Sequence, residues 1–169
     1  DNPVLLRHFG NRGRGWELFR RSVDHTADMA AMLGAYPDAQ FGVVSMAGNV
    51  YARLGILDRA EPLLTQAAAL APTLPDEVEK PEGVVSSQLQ LGRLRKAQGR
   101  NDEAEQLFRR ALELQDARPA PRGQASLEIL TDLGALYVQA GRLDEAEHEF
   151  GRLDLELQAA GRPIDKQLW

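Results

Sequence analysis

Four stretches of this chain align without a gap, and they restrict its fold more than any other feature. They are GNRGRGWELFRRSV from Gly10, GILDRAEPLLTQAA from Gly55, GRNDEAEQLFRRAL from Gly99 and GRLDEAEHEFGRLD from Gly141. Five residues after the glycine stands a small residue: Gly15, Ala60, Ala104 or Ala146. Four further on comes a large apolar one, Phe19, Leu64, Phe108 or Phe150, and three later Ser22, Ala67, Ala111 or Leu153. The last three copies add Asp58, Asp102 and Asp144 three residues after the glycine, and Gly48, Gly92 and Gly134 upstream of it. The copies recur at intervals of 45, 44 and 42 residues. A supersecondary unit repeated at such a period cannot bury its apolar face alone, so the chain must fold by stacking units in a row.

Each unit reads as two antiparallel helices joined by a tight turn. The turn glycine supplies the positive φ that ends the first helix, and the Asp is expected to cap the second. In the third unit Ala104, Leu107, Phe108, Ala111 and Leu112 have i, i+3, i+4, i+7 and i+8 spacing, which is one face of an α-helix. Leu130, Leu133, Gly134, Tyr137 and Val138 repeat that pattern in the first helix of the fourth unit. Gly48, Gly92 and Gly134 fall inside first helices, where glycine costs ~1 kcal/mol relative to alanine. A cost repeated at one register implies a packing role, with the neighbouring helix backbone expected too close for a side chain.

These residues resemble the tetratricopeptide repeat, whose signature runs Leu-Gly-x-x-Tyr, then Ala-x-x-x-Phe, then Pro. Leu133, Gly134, Tyr137, Ala146 and Phe150 match it in the fourth unit. Leu91, Gly92, Ala104 and Phe108 match in the third, with Arg95 in place of the tyrosine. Gly48, Tyr51, Ala60 and Pro72 match in the second, with Ala47 and Leu64 as substitutes. The resemblance implies an all-α fold, a right-handed superhelical array of antiparallel helix pairs (an α-solenoid). The period exceeds the usual 34 residues of the family, as in kinesin light chains and bacterial regulatory arrays.

The spacing predicts helices over 3–9, 14–33, 38–54, 58–71, 83–98, 102–117, 123–140 and 143–160. They form a single array with units at about 1–40, 41–84, 85–126 and 127–160 and a tail at 161–169. The first unit keeps only Val4 to Phe9 for its first helix, so the chain is expected to be a piece of a larger protein that begins inside a repeat. Pro37, Pro72, Pro75, Pro81, Pro119 and Pro121 fall in the connections, where proline stops a helix. PTLPDEVEKP, residues 72–81, is the longest linker and is expected to be a solvated acidic loop.

Composition narrows function mostly by exclusion. There are no cysteines among the 169 residues, which removes disulfide frameworks, thiolate metal sites and cysteine nucleophiles. No apolar run reaches the ~20 residues of a membrane span, and no secretory h-region opens the chain, so a cytoplasmic location is expected. The net charge of −5 argues against direct nucleic-acid binding, which carries a basic footprint. Glu145 and His148 have ExxH spacing, but a carboxylate-bridged metal centre needs a second such pair and further glutamates. GNRGRG is followed by no Lys-Ser/Thr and preceded by no strand, so it is no phosphate loop. No catalytic, metal or cofactor site is expected, and the chain is taken to be non-enzymatic.

Binding is the function left. In stacked helix pairs the first helices line the concave face, and there Asn49, Arg53, Arg93 and Lys96 are the candidate peptide-binding residues. Residues 1–40, 41–84, 85–126 and 127–169 carry net charges of 0, −3, +3 and −5, so the third unit is a basic island in an acidic chain. A basic groove attracts an acidic peptide or a C-terminal carboxylate, and arginine suits bidentate contact. The opposing account is that these cations pair with carboxylates of adjacent units. The chaperone-binding members of the family use a Lys/Asn/Arg clamp. Asn49 stands at its first asparagine, but Ser45, Gln90, Glu128 and Asp132 occupy the accompanying positions, and the last two have the wrong sign. The expected function is a protein- or peptide-binding scaffold. The alternatives are a structural arm or self-association module acting through the array ends, and an effector-sensing domain of a regulatory protein.

Overall fold

A computed structural model describes residues 13–74, 79–117 and 124–159. Among them are seven α-helices: α1 (Gly13–Met32), α2 (Pro37–Arg53), α3 (Leu57–Leu70), α4 (Glu79–Ala97), α5 (Asn101–Asp116), α6 (Gln124–Gln139) and α7 (Leu143–Ala159). A single 3₁₀ turn, Ala71–Thr73, follows α3. The expected helix at 3–9 lies outside the described residues. None of the described helices is long and apolar enough to cross a membrane.

Gly55, Gly99 and Gly141 take φ of 73°, 76° and 73°, the left-handed conformation that glycine adopts without a steric penalty. Ile56, Arg100 and Arg142 then return a hydrogen bond to the carbonyls of Tyr51, Arg95 and Tyr137, so the first-helix end closes on itself. The next helix begins two residues after each glycine. Asp58, Asp102 and Asp144 therefore sit in the first turn rather than at the cap. The cap residues of α3 and α5 are Ile56 and Arg100, with no side-chain cap bond. The aspartates act instead on the positive end of the helix dipole.

Two boundaries near prolines also differ from expectation. Pro37 is the opening residue of α2, where its missing N–H has no acceptor to lose. Pro81 lies in the first turn of α4, which starts at Glu79 and takes in the end of the expected acidic loop. Pro72 lies in the 3₁₀ turn, while 75–78 of that loop and Pro119 and Pro121 lie outside the described residues.

The repeated columns form the core. A Cβ added at Gly92 would lie 2.5 Å from the Phe108 ring, at Gly134 2.5 Å from the Phe150 ring and at Gly48 2.8 Å from Leu64. The large residue of the second helix thus fills the notch left by the glycine of the first. A side chain, not a neighbouring backbone, occupies the space. Phe108 is fully buried with Leu89, Leu112, Ile129, Leu133 and Tyr137 in a cluster that runs from α4 to α7. Tyr51, Ala60, Leu64, Leu91 and Leu94 continue it towards α2 and α3.

Each helix packs on its sequence neighbour, and α4 also touches both α2 and α6. No comparable packing joins α3 to α5 or α5 to α7 among the described residues. First helices are therefore close together and second helices splayed apart, which puts α2, α4 and α6 on the inner side of the curve.

Candidate functional site

Helical spacing fixes what α2, α4 and α6 carry on the inner side. Residues at i, i+4, i+7 and i+11 share a face. On α2 these are Gly42, Met46, Asn49 and Arg53; on α4, Ser86, Gln90, Arg93 and Ala97; on α6, Glu128, Asp132, Ala135 and Gln139. Asn49 and Arg93 occupy one register, each following the notch glycine of its helix. Asn49 is half-buried and Arg53 exposed on α2, and Arg93 is exposed and Lys96 half-buried on α4. The four candidates thus lie on two adjacent first helices.

Their electrostatic surroundings are unequal. Arg93 donates from Nε to Asp132 at 2.6 Å and from Nη2 to Glu128 at 3.0 Å. Burial opposes its charge, and the bonds to Asp132 and Glu128 outweigh that, so its pKa is raised above the ordinary arginine value. One guanidinium facing two carboxylates leaves this part of the groove with a local charge of −1. The two residues of the wrong sign for a carboxylate clamp are thus the two that hold Arg93. Arg53 and Lys96 have no ion-pair partner among the described residues.

The same pattern accounts for most of the basic island. Arg95 pairs with Glu61 at 2.5 Å and Glu103 at 3.4 Å, and Arg100 with Glu103 at 2.7 Å and Glu61 at 3.4 Å. Arg109 and Arg110 pair with Glu105 and Glu113 on their own helix. Opposite unit charges are brought together by stacking, so the excess cations of the third unit meet carboxylates of the second and fourth.

One cross-unit contact escaped the sequence reasoning. Tyr51 donates its hydroxyl to Asp24 at 2.6 Å, and Tyr137 to Glu105 at 3.0 Å. Arg95, at the same column, reaches Glu61. Whatever stands three residues after the notch glycine donates to a carboxylate on the preceding second helix. Arg95 is thus a functional replacement for the tyrosine. The signal was present in Glu61 and Glu105, each directly after the small residue of its helix. Burial first, and then the Asp24 or Glu105 bond, push the two phenols up to about 12.

A cavity of about 310 Å³ opens between the start of α2, the start of α4 and the residue after the 3₁₀ turn. Its walls are Asp38, Phe41, Leu74, Glu82, Gly83 and Ser86. No group of three or more His, Asp or Glu side chains is placed to hold a metal ion among the described residues.

Residues 84–152 match the family model of the tetratricopeptide repeat. Among solved structures the chain is similar to the crystal structure of BtubC (BKLC) from P. vanneervenii, with a TM-score of 0.70 and 19% sequence identity. That likeness covers 83% of this chain and 56% of the other, so this chain spans little more than half of its neighbour's length. At that identity the likeness speaks for the fold. No curated protein matches the chain.

Proposed function

We propose, from the premise that this is a tetratricopeptide-repeat protein over residues 84–152, that the inner face of α2 and α4 binds an extended segment of a partner protein. Repeats of this family are generally protein-interaction scaffolds, and the inner face is where three consecutive first helices offer one continuous strip. The observation that carries the reading is the contrast along that strip. Arg93 is spent on Asp132 and Glu128, while Arg53 and Lys96 are engaged by no ion pair among the described residues. Asn49 offers both a donor and an acceptor, which suits a peptide backbone. Arg53 and Lys96 offer charge to an acidic residue of the same segment, with Arg93 held in place beside them.

Selection from a phage-displayed random peptide library, against the chain and against an Asn49→Ala/Arg53→Glu variant, tests this. Enrichment of acidic sequences by the first and not by the second is the expected result. The same sequences enriched by both would overturn the reading and move the binding surface elsewhere.

Self-association has one observation in its favour. Leu18, Met29 and Met32 are exposed on α1 at 67%, 47% and 85%, at spacings that place them on one face. Mass measured by light scattering across a concentration series, with a Met29→Glu/Met32→Glu variant beside it, decides this. A mass that rises with concentration only in the parent supports self-association; a constant monomer mass removes it.

A further inference from the structure

Helix α1 has two faces of opposite kind. Towards α2, Val23 packs against the Tyr51 cluster, Asp24 accepts the Tyr51 hydroxyl, and Ala30 is buried with Val44. On the far side stand Leu18, His25, Met29 and Met32, at i, i+7, i+11 and i+14, and all four are exposed. That spacing keeps them in one stripe along the helix. Three large apolar side chains on one stripe mark an interaction surface rather than scattered exposure. Arg21 and Asp28 run along one edge of the stripe, one turn before and one turn after His25. Both are exposed, and neither has an ion pair among the described residues.

We propose that this stripe is the interface of a symmetric homodimer, in which α1 packs antiparallel on α1 of a second copy about a two-fold axis at His25. The proposal rests on the self-association reading and gives it a geometry. His25 lies midway between Leu18 and Met32, so antiparallel pairing sets Leu18 against the partner's Met32 and Met32 against the partner's Leu18. The same register places Arg21 beside the partner's Asp28, and symmetry makes that ion pair twice. A parallel pair would instead bring arginine to arginine and aspartate to aspartate. The stripe is therefore complementary to itself in apolar register and in charge, as a two-fold interface requires. One helix pair is at the low end of interface size, so monomer and dimer are expected to exchange. Because α1 is the second helix of its unit, on the outer side of the curve, the dimer leaves two inner strips open. A partner carrying two segments would then gain avidity from both.

The chain contains no cysteine, so an introduced one reports on a single position. The His25→Cys variant puts two thiols at the axis and is expected to give a covalent dimer under mild oxidation. Leu18→Cys places its two thiols about 21 Å apart at 1.5 Å per residue, far beyond disulfide reach. It is expected to crosslink only when mixed with Met32→Cys. Sedimentation equilibrium tests the charges. Arg21→Asp and Asp28→Arg each turn two attractions into repulsions, which should weaken the dimer about tenfold at low salt. The double reversal restores both pairs and should return to within about twofold of the parent. All of these positions are exposed, and circular dichroism checks that the variants keep the parent's helicity. Leu18→Cys crosslinking to itself, or a double reversal no tighter than the single ones, would overturn the antiparallel arrangement. In that case self-association still stands if the parent's mass rises with concentration and that of Met29→Glu/Met32→Glu does not. A monomeric parent with no covalent dimer from His25→Cys overturns both.

Discussion

Arg93 on α4 and Asp132 on α6 are joined at 2.6 Å across 39 residues of sequence. The guanidinium projects into the groove and yet belongs to the stacking of the third unit on the fourth, because Glu128 holds its other side. The Arg93 side chain is 45% exposed, and pairs of that kind contribute ~0.2–1 kcal/mol each. Arg93→Glu places three carboxylates together and is expected to lower stability by ~1 kcal/mol or more. Combining it with Asp132→Arg should recover most of the loss. Urea unfolding of the two single variants and the double variant measures the coupling; additive losses would show that the pair does not matter.

Glycines at different helical positions should respond to alanine with opposite signs. At Gly92 the new Cβ would press on the fully buried Phe108 ring, and overpacking a core costs ~1–3 kcal/mol. At Gly134 the ring is that of Phe150, which is only partly buried and can give way, so a smaller loss is expected. Gly42 in α2 and Gly151 in α7 have nothing within 4 Å of the added carbon, so Gly42→Ala and Gly151→Ala should each stabilise by up to ~1 kcal/mol. Thermal midpoints of the four variants check the order. A destabilising Gly42→Ala would count against the described packing of α2.

The contrast between Gly92 and Gly42 marks what was legible in the sequence. Turn glycines, the notch glycine and the large residue 16 positions later stand in fixed columns within one unit, so the helix pair could be read directly from spacing. The nature of the contact could not, since whether backbone or side chain fills the notch depends on the distance between helices. Cross-unit partners were harder still. Arg93 meets Asp132, and Arg95 meets Glu61, only after two units have stacked with a particular rotation, so the column shared by Glu61 and Glu105 marks the carboxylates but not their partners. The cavity was hidden for a similar reason. Leu74 reaches Phe41 and Gly83 by way of a 3₁₀ turn, in a stretch whose prolines and acidic residues suggested only a loop.

Tyr51 ties the first unit to the second through Asp24, and its removal should be felt in α1. The Tyr51→Phe variant keeps the ring in the core and loses only the hydroxyl bond, a change of ~1 kcal/mol. Hydrogen exchange of the α1 amides is expected to speed up while that of α5 to α7 stays unchanged. An ultraviolet titration reads the same site. With both tyrosines pushed up to about 12, two phenols should ionise late in the parent and one in the variant. Unchanged exchange in α1 would mean that the apolar contacts hold that helix without the hydroxyl.

Acid should loosen the joint between the third and fourth units. Burial works to raise the Glu105 pKa, but hydrogen bonds from Arg142, Arg109 and Tyr137 outweigh it and hold the carboxyl below the ordinary value of 4.5. Glu61 is held down as well, chiefly by its bonds from Gln98 and Arg95. A carboxyl whose folded pKa lies below its unfolded one stabilises the fold above the unfolded value. That contribution is lost as pH falls through the folded value. Glu105→Gln should therefore cost ~1 kcal/mol at neutral pH, and the gap to the parent should close as pH falls below 4.5. Stability curves of the two proteins that stay parallel down to pH values well below that point would show that the charge of Glu105 is not what joins α5 to Tyr137 and Arg142. The hydrogen-bond geometry of the side chain, which glutamine partly keeps, would then be the remaining explanation.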